Sequence, residues 1–367
     1  KYRNVMKTGT MGLPLHGGKA PAWLFNRMEK LSREIILMVV SEYGPEEMLY
    51  RLSDPLWFQA FGCVLGFDWH SSGVTTTVCG AVKEAVKGLE KDLGFFVAGG
   101  KGATSRKTPL EIESAANLMG KDFSNLIYNS KIVAKVDNNA LQDGYQLYHH
   151  CFIFTKDGNT WSVIQQGMNE SSRMARRYHW FSNNLKSFIC EPHKAICCDK
   201  KGSVINLVAL ESKEARKTVA ELSCEKPKNI LRDLNKIKKW QENNYTLPQR
   251  HYIKLTDMDL KRLEKIFTST YERKPENFEK LLALKGVGPK TIRALALISE
   301  LVYGINYSIK DPARFSFAHG GKDGIPYPVN KESYDRSIEI LHKAVRDSKI
   351  GRTEKIKAIR RLSTFYG

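Results

Sequence analysis

Residues 281–304, LLALKGVGPKTIRALALISELVYG, decide how the C-terminal third of this chain folds. Leu-Leu-Ala-Leu carries the end of one apolar helix, Gly-Val-Gly-Pro makes a tight turn, and Thr-Ile-Arg-Ala-Leu-Ala-Leu begins a second helix. The glycines at 286 and 288 let the backbone take positive φ and approach another surface with no Cβ in the way. N–H groups at the start of the second helix then point outward, where the helix dipole favours an anion. A nucleic-acid phosphate suits that place, because this contact positions a backbone and reads no base. Gly286, Val287, Gly288, Lys290 and Thr291 are therefore expected to touch DNA. The alternative is an interhelical turn with no ligand.

Charge agrees with a polyanionic partner. The 367 residues include 58 Lys and Arg against 39 Asp and Glu, a net charge of +19. Such a field draws nucleic acid and holds it with strong salt dependence; an acidic protein or a membrane surface is the other kind of partner it suits. No run of 18 apolar residues exists, so no membrane span is expected. The stretch KYRNVMKTGTMGLPLHGG has charge but no apolar core of a secretion signal. Seven cysteines, an odd count without such a signal, read as reduced thiols and a cytoplasmic setting.

Length allows two or three domains, and the pattern reads as an α+β multidomain chain. Residues 11–125 are mainly helical, with FGCVLGFDWHSSG and FFVAGGKGATSRKTP as strand ends or loops. Residues 131–210 are strand-rich: KIVAKV, YQLYHHCFIF, TWSVIQQGM, SFICEPHKAICC and VINLVAL, with KDGN as a hairpin turn. Together, 1–223 form a mixed α/β region. CEKPKN then reads as a linker, so that 224–250 is linker and basic helix, and 251–367 is an all-α unit containing the helix-hairpin-helix.

Residues 258–317, from MDLKRLEK through GVGPKTIRALAL to KDPARFSF, resemble the core of helix-hairpin-helix DNA glycosylases of the endonuclease III type. That resemblance implies a catalytic pair, Lys290 in the hairpin and Asp311 in the following loop, although the segment between them is a few residues longer than usual. The iron–sulfur cysteines of those enzymes are missing, so that cluster is not implied; a monovalent cation at the hairpin is the remaining cofactor expectation. Over nearly its whole length the chain resembles the domain-of-unknown-function family 763 of archaeal and bacterial proteins, through MGLPLHGGKAPAWL, LGFDWHSSG, AGGKGATSR, WSVIQQGMN and FAHGGKDGIPYPV. No activity comes with that resemblance.

The chemistry therefore rests on residue types. A lysine amine attacks the anomeric carbon of a flipped nucleotide, giving a Schiff base and then β-elimination. A carboxylate beside it takes the proton or stabilises charge on the sugar. The competing readings are a phosphate clamp for Lys290 and a helix N-cap before Pro312 for Asp311. Glycine pairs next to lysine recur as HGGK at 16–19 and 319–322 and AGGK at 98–101, which makes Lys19, Lys101, His319 and Lys322 further DNA-facing candidates. None fits a P-loop.

In the middle region, Asp137, Asp143 and Asp157, near His149, His150, Lys156, Gln165 and Gln166, are candidates for a magnesium or manganese nuclease site. Asp143 and Asp157 each precede glycine, as turn residues do. Cys190, His193, Cys197 and Cys198 offer soft ligands in no standard metal spacing, and adjacent Cys197 and Cys198 point apart in a strand. Asp68, His70 and Ser71 in FDWHSSG supply triad residue types but no triad geometry. Three functions stand: a DNA glycosylase with AP-lyase activity, a metal-dependent DNA nuclease, or a noncatalytic DNA-binding repair factor.

Overall fold

Gly99 lets the first strand lie against its neighbour where a side chain would collide, and the sheet grows from that pairing. The computed structural model describes residues 20–67, 72–198, 201–242, 258–313 and 331–366. In chain order, α1 (Ala22–Tyr43), α2 (Pro45–Ser53), α3 (Pro55–Val64), α4 (Gly73–Val86) and the short α5 (Glu90–Leu93) lead to β1 (Phe95–Lys101). A 3-10 turn (Gly102–Lys107), α6 (Thr108–Met119) and α7 (Ser124–Lys135) follow, and α7 continues into a π-helical turn (Val136–Ala140). Then come β2 (Leu141–Gln142), β3 (Gln146–Thr155), β4 (Trp161–Asn169), β5 (Met174–Phe181), β6 (Ala195–Cys197) and β7 (Ile205–Asn206). The chain closes with α8 (Lys213–Ser223), α9 (Pro227–Glu242), α10 (Leu260–Arg273), α11 (Phe278–Ala283), α12 (Pro289–Leu301), α13 (Lys331–Asp347) and α14 (Arg352–Tyr366).

The main sheet is antiparallel in the order β1-β3-β4-β5-β6, and β2 pairs with β7 beside it. Both faces of the main sheet are covered, which is why β3 carries the continuous apolar stretch Cys151–Phe154. Cys151, Ile153 and Ile164 face a layer built from α1–α4 with α13 and α14. Phe152, Phe154, Val163 and Trp180 face a second layer, α6–α12. Helices mixed with an antiparallel sheet place the chain in the α+β class. No described helix is long and apolar enough to cross a membrane.

Local signals explain many boundaries. Asp54 Oδ1 accepts from the N–H groups of Leu56 and Trp57 and starts α3, with Pro55 in the first turn. Asn277 caps α11 in the same way through Lys280 N–H. KDGN turns β3 into β4, with Gly158 at φ 79° and Asp157 Oδ1 accepting from Asn159 N–H at 3.1 Å.

Four differences from the sequence expectation shape the layout. KIVAKV is the end of α7 and not a strand: Leu126, Ser130, Val133 and Asp137 are buried at helical spacing, a period that six residues alone cannot separate from alternation. Only Ala195–Cys197 of SFICEPHKAICC is strand. CEKPKN is a three-residue junction between α8 and α9, because Pro227 begins a helix whose Ile230, Leu234 and Ile237 fill the second layer's core. Finally, the helices of 251–367 divide between the layers, α10–α12 on one face of the sheet and α13–α14 on the other.

Candidate functional site

The hairpin of α11 and α12 does not stand apart from the sheet. Lys135 at the end of α7 donates its ammonium to the carbonyls of Leu284 (3.3 Å) and Val287, and Asn139 Nδ2 reaches Val287 O at 3.4 Å. Gln142 Nε2 donates to Pro289 O at 2.8 Å, while Gln142 Oε1 accepts from Arg293 Nε at 2.7 Å. Burial of the lysine lowers its pKa. Gly286 takes φ 92°, as the turn requires, and Val287 N–H donates back to Leu284 O at 3.3 Å. Among the described residues, the N–H groups of Gly286 and Gly288 meet no protein acceptor.

Between this hairpin and the sheet lies a cleft of about 790 Å³, walled by α7, the π turn, the first half of β3 and the 3-10 turn after β1. Among the described residues its charged lining consists of Arg106, Lys131, Lys135 and Lys285, with no carboxylate, and Tyr128 and Tyr148 add aromatic faces. Gly99 of AGGK is what allows β1 to pack against β3 and the start of α6 beside the cleft. Gly99 has φ 90°, and a Cβ there would lie 2.2 Å from His150 O and 2.6 Å from Thr108 Oγ1. Glu111 holds the strand end by accepting from Gly99 N–H at 2.6 Å and from Lys83 Nζ at 2.7 and 2.8 Å. Lys101 is exposed at the rim, its ammonium 5.9 Å from the centre of the Tyr148 ring.

Inside the wall runs a chain of hydrogen bonds. Ser130 Oγ is 2.9 Å from His150 Nε2, and His150 Nδ1 is 2.7 Å from Gln165 Oε1. Gln165 Nε2 donates to Asp137 Oδ2, which also accepts from Trp180 Nε1 at 2.9 Å; Asp137 Oδ1 faces His193 Nε2. Asp137 sits in the π turn, where the extra residue per turn lets it face the sheet. Burial lowers the His150 pKa. Its neighbour His149 also lines the cleft, has no partner on either ring nitrogen among the described residues, and is pushed by burial down to about 3.

Asp311 lines a different cavity, of about 540 Å³, together with His193. Its carboxylate accepts from Arg176 Nη1 (3.1 Å) and Nη2 (2.7 Å), from Gly202 N–H (3.0 Å) and from Ala313 N–H (2.9 Å). Arg176 also binds Asp143 Oδ2 at 2.8 Å, an oxygen that accepts from Tyr178 OH at 2.7 Å. Burial raises the Asp143 pKa, and the guanidinium opposes that shift. Lys290 is exposed at the start of α12 and lines neither cavity. The expected pair of Lys290 and Asp311 is thus not brought together: four hydrogen bonds to Arg176 and the backbone hold the carboxylate in a buried ion cluster.

Nor do the three aspartates converge. Asp137 belongs to the hydrogen-bond chain, Asp143 to the Arg176 cluster and Asp157 to the KDGN turn. Among the described residues, no three His, Cys, Asp or Glu side chains gather as a metal site. Cys198 meets Tyr145 OH at 3.2 Å, and the buried Cys197 thiol is pushed up to about 12. Lys19, His319, Lys322, Asp68, His70 and Ser71 lie outside the described residues. The cleft residues that sequence reasoning missed are Ser130 and the cations Arg106, Lys131, Lys135 and Lys285; Lys131 and Lys135 lay in KIVAKV, read as strand, and the others carried no local signal. The pairing of His150 with Gln165 was available, since counting back along both strands from a turn centred on Asp157 and Gly158 sets them opposite each other.

The family model described as protein of unknown function (DUF763) matches residues 9–329. No curated protein and no solved structure matches.

Proposed function

Because the chain belongs to that family, whose description carries no activity, we propose from its residues that it is a DNA-binding protein that seats a phosphate backbone in the cleft between hairpin and sheet. One observation carries the reading: among the described residues, four cationic side chains and no carboxylate line a cleft of about 790 Å³. Counterion release on neutralising phosphates supplies affinity there without base recognition. The N–H groups of Gly286 and Gly288 add anion donors at the hairpin, and Tyr128 and Tyr148 offer faces on which bases can stack.

Fluorescence anisotropy on a labelled duplex over a salt series tests it. Lys131→Gln, Lys285→Gln and Arg106→Gln are each expected to weaken binding and to reduce the slope of log K against log salt by about 0.9 for each phosphate that is no longer neutralised. Slopes equal to wild type in all three variants would place the DNA elsewhere.

A second reading keeps lysine chemistry, as a DNA glycosylase with AP-lyase activity in DNA repair. It is favoured by the exposure of Lys290 at the start of α12, next to Gly288 and Pro289, which line the cleft. Borohydride trapping on a duplex with one abasic site, compared between wild type and Lys290→Ala, tests it: a covalent band that disappears in the variant is the result this reading requires.

A further inference from the structure

The hydrogen-bond chain behind the cleft has a direction, and Asp137 sets it. A carboxylate only accepts, so Gln165 must turn its amide N–H toward Asp137 and its carbonyl oxygen toward His150. His150 therefore carries its proton on Nδ1 and presents the lone pair of Nε2 to Ser130, whose hydroxyl donates across 2.9 Å. A serine hydroxyl hydrogen-bonded to a neutral imidazole, itself oriented by a third group, is the arrangement of an activated nucleophile. Here an amide backed by a carboxylate orients the ring. Ser130, His150 and Gln165 all line the cationic cleft, so the pair faces the place where a phosphate would lie.

We propose that Ser130 is a catalytic nucleophile for phosphodiester cleavage in DNA, with His150 as its general base. The choice of substrate rests on the DNA-binding reading of the cleft. Ser130 Oγ forms a bond to phosphorus as its proton passes to His150 Nε2. The bond from phosphorus to one sugar oxygen breaks, and that oxygen takes the proton from His150. A phosphoserine diester to the remaining strand results. Water then attacks phosphorus as it gives a proton to His150; the bond from phosphorus to Ser130 Oγ breaks, and Oγ takes that proton from His150, which restores both groups, so no oxidant or reductant enters. Lys131 and Arg106 face the non-bridging oxygens in this scheme. Burial holds His150 neutral at pH 7, the form a base needs.

The test uses the full chain, labelled single-stranded and duplex oligodeoxynucleotides, and EDTA throughout. Samples quenched in denaturant are resolved for cleaved strands and for protein–DNA adducts, and adducts are mapped by mass spectrometry after proteolysis. Cleavage in EDTA with an adduct on Ser130 is expected, with both abolished in Ser130→Ala and the rate falling by about 10²–10⁴-fold in His150→Gln. The adduct map on wild type does not depend on any variant folding. Wild type that binds DNA in anisotropy yet yields neither cut strands nor adduct would overturn the proposal and leave Ser130 and His150 as a structural pair. Cleavage that persists in a folded Ser130→Ala would overturn it as well. Absence of DNA binding would instead remove the interface reading, and the phosphodiester substrate with it.

Discussion

Replacing Asp311 by asparagine keeps the volume of the side chain and removes one of the two negative charges that face Arg176. Both partners are buried, with side chains about 1–2% exposed. The carboxylate receives four N–H donors, two on each oxygen: Arg176 Nη2 and Gly202 N on Oδ2, Arg176 Nη1 and Ala313 N on Oδ1. Whichever way the new amide turns, its NH₂ meets two donors. Breaking a buried ion pair costs about 3–5 kcal/mol; Asp143 still neutralises the guanidinium, which puts the expected loss near the lower end, about 3 kcal/mol. Urea unfolding followed by circular dichroism should show a lower midpoint with an unchanged slope. DNA affinity of the folded variant, measured below that midpoint, should match wild type. A stability within about 0.5 kcal/mol of wild type, combined with abolished DNA function, would refute this and return Asp311 to the catalytic role its position after the hairpin suggests.

Acid should unfold the protein early. Burial pushes His149 to about 3 and holds His150 and His179 below the 6.5 of a free imidazole, so under acid the unfolded chain binds protons that the native state refuses. Stability is then complete above pH 6.5 and declines as the pH falls below it, by up to about 1.4 kcal/mol per pH unit for each imidazole. Urea midpoints between about pH 7 and pH 5 check this; His149→Gln should flatten the slope, and a wild-type midpoint independent of pH would rule out neutral burial. Gly99→Ala should destabilise the fold by more than about 2 kcal/mol, since the added Cβ would meet backbone at 2.2 Å where φ is already 90°. Unchanged melting of that variant would show that β1 can move away from His150 at little cost.

Local chemistry was legible where it is written in consecutive residues. KDGN turned where Asp157 and Gly158 require it, and GVGP separated two helices as its glycines and Pro289 imply. KIVAKV failed because its Val and Ile residues suit a strand, while the helical period shows only when Leu126 and Ser130 before it and Asp137 after it are included. The cleft was partly legible. Lys101 and the hairpin glycines lie at its edges, yet its charge comes from α7, the turn after α11 and the 3-10 turn, which only tertiary packing sets around one space. Asp311 misled for a related reason. Its position after the hairpin suited a partner for Lys290, and nothing nearby in sequence announces Arg176, 135 positions earlier on β5.

The division of the last helices between the two faces of the sheet also bears on how the chain is made. Ile340, Leu341, Ala344 and Val345 of α13 complete a core whose other members include Met28, Ile35 and Val39 of α1. Lys343, on the same helix, pairs with Glu42 across 301 positions. At about 5–20 residues per second on the ribosome, α1 emerges roughly 15–60 s before α13 exists. Through that interval the apolar stripe of α1 lacks its final cover, so the nascent chain is exposed to chaperones and to aggregation. Truncation before α13 would make that temporary exposure permanent.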